Sequence, residues 1–231
     1  MTNTTSHGAA VQQSAVRIPA GRAMLDADLA IPAGARGLVI FAHGSGSSRK
    51  STRNRAVAEA LHVAGLGTLL LDLLTAAEEQ VDRLTAGHRF NIPLLATRLV
   101  AAIDWAVAAP ETRALPIALF GASTGAAAAL IAAADRPALV RAVVSRGGRP
   151  DLAGEALPHV HAPTLLVIGS RDVPVIELNE QAARAMTCPR EIAIVAGATH
   201  LFEEPGTLEE VQDLAAKFIR EHVEEAQAGA T

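Results

Sequence analysis

The sequence predicts an α/β domain: a mostly parallel, eight-stranded sheet with helices on both faces and no large cap domain. Three observations carry this. Short, continuous apolar runs recur along all 231 residues, stretches with helical spacing alternate with them, and glycine-rich or polar turns follow the runs directly. Strand–helix–strand repetition of this kind specifies parallel pairing with helical crossovers.

Residues 11–18 and 23–31 read as two strands joined at Pro19-Ala20-Gly21, forming an antiparallel edge. Leu38–Ala42 (LVIFA) is apolar throughout, as expected of a strand covered on both faces. Helical character over 51–64, with Val57 and Leu61 four apart, precedes a second buried run, Thr68–Leu74. Residues 75–90 lack strong periodicity and read as a polar loop with room for a short helix. From 92 to 109, Leu95, Leu99, Ile103 and Ala106 form one apolar stripe. Further strands follow at Pro116–Phe120, Val140–Ser145, Thr164–Ile168 and Glu191–Val195, with helices at Thr124–Ala134, Ile176–Met186 and 208–225. Thr207 and Glu210 carry a capping-box signature at the start of the last helix. No linker or repeat divides the chain, so residues 1–231 are expected to form one domain, with 1–14 as a flexible tail.

Composition narrows the function classes. Half the residues are apolar, the net charge is −4, and no long block of one sign appears, so neither a nucleic-acid surface nor a nucleic-acid partner is expected. The polar first fifteen residues contain no apolar signal segment, and the apolar runs are too short to span a bilayer. With a single cysteine, Cys188, no internal disulfide can form. The expectation is a cytoplasmic protein with no membrane partner; its oligomeric state is left open.

In open α/β sheets, ligands sit at the carboxyl ends of the strands, so the residues just after each strand are the site candidates. Gly121-Ala122-Ser123-Thr124-Gly125 is G-x-S-x-G between a strand and an alanine-rich helix, the setting of a nucleophile elbow. Gly169-Ser170-Arg171-Asp172 offers a carboxylate and Gly197-Ala198-Thr199-His200 an imidazole, each after a strand. Their chain order is Ser123, Asp172, His200. One such loop residue alone reads as a turn or solvated group, but three in this order read as a catalytic triad. Asp151 is a second candidate for the acid. Backbone N–H groups of Thr124 and Ser45, with Gly44 the alternative, are the candidate oxyanion donors. Arg146 and His43 are candidate substrate-binding residues, although His43 also suits a role in ordering its own loop.

The segments His43–Ser48 (HGSGSS), GASTG, GSRD and GATHLF together resemble the dienelactone hydrolase-like family of the α/β-hydrolase superfamily, over residues 15 to 224. The resemblance implies an eight-stranded fold, acyl-enzyme chemistry and no cofactor. It departs in one place: dienelactone hydrolases carry cysteine as nucleophile where this chain has Ser123. That shifts the expectation from dienelactone to small carboxylic esters, lactones or thioesters.

Other features read as structural. The cluster Arg49, Lys50, Arg53 and Arg55 suits solvated charge, with an anion-receiving role as the alternative. Asp72, which also ends a strand, is expected to order the loop that follows it. His159 and His161 lack the neighbouring ligands of a metal site, and Cys188 lacks a basic setting. The eighteen residues 146–163 leave no space for a large cap, which implies an open site for small acyl groups. Two rival functions remain: a nucleotide-binding oxidoreductase, although GASTGA is not G-x-G-x-x-G, and a catalytically silent binding or regulatory module.

Overall fold

The computed structural model describes residues 10–228. Strands β1 (Val11–Ala20) and β2 (Ala23–Pro32) form the expected hairpin. They are followed by β3 (Leu38–Ala42), α1 (Thr52–Val63), β4 (Gly67–Leu71), α2 (Ala76–Thr85), α3 (Ile92–Ala108) and β5 (Ile117–Ala122). Then come α4 (Thr124–Asp135), β6 (Val140–Arg146), a pair of 3₁₀ turns over Pro150–His159, β7 (Thr164–Gly169), α5 (Val173–Ala185), β8 (Arg190–Val195) and α6 (Thr207–Ala228). The sheet order is β1-β2-β4-β3-β5-β6-β7-β8. β1–β2 and β2–β4 are antiparallel and every other pair is parallel. No cap domain is present among the described residues. Of the expected tail, residues 1–9 lie outside the description, while 11–14 belong to β1.

The central strands are buried on both faces, so two apolar layers form. Leu38, Ile40, Leu119 and Val143 face α3 and α4, with Leu99, Ile103 and the alanines 127–129. Val39, Phe41, Phe120 and Val144 face α1 and α6, with Leu61, Phe218 and Ile219. Alanine-rich α4 is buried along nearly its whole length, which lets it pass close beneath the sheet.

One local expectation is sharpened and one is corrected. The segment 75–90 contains a full helix, α2, begun by a complete capping box: the Thr75 hydroxyl accepts from Glu78 N, and the Glu78 carboxylate accepts from Thr75 N. Val81 and Leu84 are exposed on it, so it shows no inward apolar stripe. At α6, Thr207 is already helical and its hydroxyl donates to Glu204 O at 2.7 Å. The capping box read at Thr207 is not formed.

Helix α2 is tied down by charge instead of apolar contact. Buried Arg98 of α3 grips the Glu78 carboxylate at 2.5 and 2.6 Å and donates to Leu73 O at 2.7 Å. The Arg98 hydrogen bond, foremost, holds Glu78 down from 4.5 to about 2. A depressed carboxylate pKa stabilises the fold fully above 4.5 and loses that contribution as pH falls toward 2. Acid titration followed by circular dichroism is therefore expected to show a stability loss in this window that Glu78→Gln lacks, because the variant is already destabilised at neutral pH.

Candidate active site

The carboxyl ends of β3, β5, β6, β7 and β8 supply the site. Ser123 follows β5 with φ +50° and ψ −123°, a conformation that L-residues other than glycine seldom adopt and that costs on the order of 1–3 kcal/mol. The backbone holds it there. Ser123 N donates to Arg146 O at 3.2 Å, and Ser123 O accepts from Ala126 N and Arg149 N, both at 3.1 Å. Ser123 occupies the N-cap position of α4, yet its hydroxyl makes no capping hydrogen bond. A serine at an N-cap ordinarily uses its oxygen this way; here the elbow keeps the oxygen free.

The flanking glycines are required by close approach. A Cβ on Gly121 would lie 2.7 Å from Ala126 N, and one on Gly125 would lie 2.6 Å from His43 O. The β5–α4 turn and the loop after β3 are thus pressed together. Gly44 stands in the same contact, since a Cβ there would fall 3.0 Å from Ser123 Cβ.

His200 and Asp172 are brought together from loops 28 positions apart. His200 Nδ1 and Asp172 Oδ2 are 2.6 Å apart, with the carboxylate largely buried. The two loops are laced by backbone bonds: Arg171 N donates to Ala198 O and Ser170 N to Val195 O, both at 2.9 Å. The Ser170 hydroxyl accepts from Gly197 N at 2.8 Å, and Glu204 accepts from Thr199 N at 3.1 Å. Neither Ser170 nor Glu204 was singled out from sequence. With Nδ1 engaged, Nε2 is the free ring nitrogen of His200, and His200 lines the same cavity of about 240 Å³ as Ser123. Among the described residues the Ser123 hydroxyl itself makes no hydrogen bond.

The remaining candidates separate clearly. Gly44, Ser45 and Arg146 line the Ser123 cavity. Thr124 is buried in the first turn of α4, where its N–H has no intrahelical acceptor. Asp151 forms a two-pronged ion pair with Arg149, 2.8 Å on each arm, and is not the partner of His200. His43 does not join Ser123: its Nε2 accepts from Leu73 N at 3.0 Å, and it lines a neighbouring cavity of about 170 Å³ with Asp72 and Leu74. Burial, the leading cause, lowers the His43 pKa, so the ring is neutral and acts as an acceptor that fixes its loop.

The basic cluster divides by partner. Arg49 pairs with Asp72 through its guanidinium, and its backbone N donates to the same carboxylate at 2.7 Å. Asp72 therefore orders the loop after β3 rather than the one that follows it in sequence. Arg55 pairs with Asp28 at 3.1 Å. Arg53 differs, since it lines the Ser123 cavity beside Ser51 and Asn54. His159 and His161 are both exposed, and no group of metal-ligating side chains is found among the described residues.

A family model described as an alpha/beta hydrolase domain matches residues 35–227. A dienelactone hydrolase from Anabaena variabilis ATCC 29413, known from its crystal structure, is 55% identical with a TM-score of 0.90, covering 92% of this chain and 98% of that one. Est1E from Butyrivibrio proteoclasticus shares the fold at 19% identity and a TM-score of 0.74, over 90% of this chain and 98% of that one. A Mycobacterium tuberculosis H37Rv protein, provisionally named a phosphoribosyl transferase, is 53% identical over 208 residues, which is 90% of this chain and 46% of that protein. The chain spans about half the length of the curated relatives it matches.

Proposed function

The chain belongs to the alpha/beta hydrolase domain family, and from that membership we propose that it is a serine hydrolase cleaving small carboxylic esters, lactones or thioesters through an acyl-enzyme. The observation that carries this reading is the strained Ser123 elbow, whose uncapped hydroxyl opens on the cavity lined by the Asp172-bound His200.

In the proposed reaction the substrate closes the gap between Ser123 and His200, as catalytic hydrogen bonds commonly tighten only in the complex. His200 Nε2 takes the hydroxyl proton as Oγ bonds to the acyl carbon, while Asp172 fixes the tautomer and stabilises the imidazolium. The carbonyl oxygen becomes an oxyanion facing Thr124 N–H and the loop N–H of Ser45, with Gly44 adjacent. Each such donor lowers the barrier by on the order of 3 kcal/mol. His200 then gives its proton to the leaving alkoxide or thiolate. In the second half, a water loses a proton to His200 and attacks the acyl carbon; the acid leaves and Ser123 regains its proton. None of these steps calls for a cofactor. The phosphoribosyl transferase name belongs to relatives of which this chain is under half, and the Ser123 elbow favours acyl transfer.

The small cavity favours short acyl groups. Assayed against p-nitrophenyl esters of rising chain length, a lactone and a thioester, the protein is expected to show kcat/KM falling from short to long acyl chains. Activity that rises toward C16, or no activity on any member, would count against the reading. The lone cysteine, buried and free, fits the cytoplasmic setting expected from sequence.

A further inference from the structure

Arg146, at the carboxyl end of β6, is only 8% exposed and lines the Ser123 cavity. Its Nε and Nη1 are buried without a hydrogen-bond partner, and its Nη2 reaches only the neutral side chain of Asn54, at 3.4 Å. No carboxylate pairs with it among the described residues. Most other arginines of the site's surroundings are matched: Arg49 to Asp72, Arg89 to Asp82, Arg98 to Glu78 and Arg149 to Asp151. A buried cation left without a counter-charge is costly and is retained where something else supplies that charge. Burial, the larger cause, and the neighbouring Arg53 depress the Arg146 pKa to about 10, which still leaves it charged at neutral pH.

Arg53 adds a second cation to the same cavity. Its Nε is also buried and unpartnered, and its Nη1 shares the well-exposed Glu203 at 3.1 Å. Arg53 sits in the first turn of α1, which contains no acidic residue, and Ser51 and Asn54 of that turn line the cavity too. The positive end of the helix thus points to the same place as both guanidinium groups.

We propose that Arg146, Arg53 and the first turn of α1 form a phosphate-binding subsite, and that the substrate of the Ser123 centre is a small ester or thioester carrying a phosphate group. The second half of this statement rests on the hydrolase reading; the first does not. Arg146, which has no counter-charge, Arg53, whose carboxylate partner Glu203 is well exposed, and the N-terminus of α1 together match the two charges of a phosphate monoester. A carboxylate, with one charge, would leave one of the two cations unmatched. Because Ser123 and His200 line the same cavity of about 240 Å³, phosphate and scissile carbonyl belong to one small molecule.

The test is calorimetric titration of inorganic phosphate, acetate and succinate into Ser123→Ala protein, which binds without turnover. Phosphate is expected to bind at one site, at least roughly tenfold more tightly than either carboxylate. Arg146→Met and Arg53→Met are each expected to weaken phosphate binding by about tenfold or more, while Arg149→Met, whose guanidinium is already matched to Asp151, leaves it unchanged. Thermal melting establishes that each variant is folded; if Arg146→Met is not, Arg53→Met carries the test. No saturable phosphate binding up to about 10 mM, equal affinity for the carboxylates, or undiminished binding in a folded arginine variant would overturn the subsite. As the titrated protein lacks the nucleophile, failure of the hydrolase reading appears separately, in the ester assays.

Discussion

Ser123→Ala is expected to lower kcat on any ester the protein cleaves by roughly 10⁴-fold or more, with KM little changed. The double variant Ser123→Ala/His200→Ala should be hardly worse than the single one, because residues that act as one unit do not contribute additively. Steady-state kinetics on the best substrate of the ester panel, with folding checked by circular dichroism, measures both. Residual activity would reflect the backbone donors near Thr124 and Ser45, which neither substitution touches. Losses that multiplied would mean that serine and histidine act independently.

The second large effect concerns folding. Gly125→Ala is expected to destabilise the protein by about 4 kcal/mol, a fall in Tm of roughly 10 °C for a domain of this size. The added methyl would enter the space of the Ala42 and His43 carbonyls, which are backbone and cannot swing aside. Gly197→Ala is the contrasting control: nothing lies within 4 Å of its Cβ position, so only the cost of its φ of +74° remains. Thermal unfolding of the two variants ranks them. A Gly125→Ala protein as stable as Gly197→Ala would mean that the β3 loop and the elbow are not packed as described.

Much of this architecture was legible in the sequence because its strands are covered on both faces. LVIFA and TLLVI admit little but a buried strand once helical segments flank them; the first appears with the expected bounds and the second runs one residue further, to Gly169. Helix α2 was legible only as room for a short helix, because its hold on Arg98 leaves no apolar period. The capping-box signal did exist at Thr75, and that was the signal to read; the same pattern at Thr207 misled because the helix there already includes the threonine.

In the site, the order Ser123, Asp172, His200 could be read from strand-end positions. Asp172, the acid read first from the sequence, meets the imidazole, while Asp151, the second candidate, is taken up by Arg149, a pairing the sequence does not announce. Arg53 was hidden for a similar reason. It stands among four basic residues within seven positions, and what separates it from Arg49 and Arg55 is where Asp28 and Asp72 lie in space. Side-chain pairing across the sheet leaves no local trace in the chain.

The central claim is that the Ser123 hydroxyl is a nucleophile activated by His200. Incubation with a fluorophosphonate, followed by intact-mass measurement and peptide mapping, tests it most directly. One phosphonyl group per chain is predicted, located on Ser123 and formed far more slowly in His200→Ala. An unmodified protein, or an adduct on any other residue, would contradict the claim.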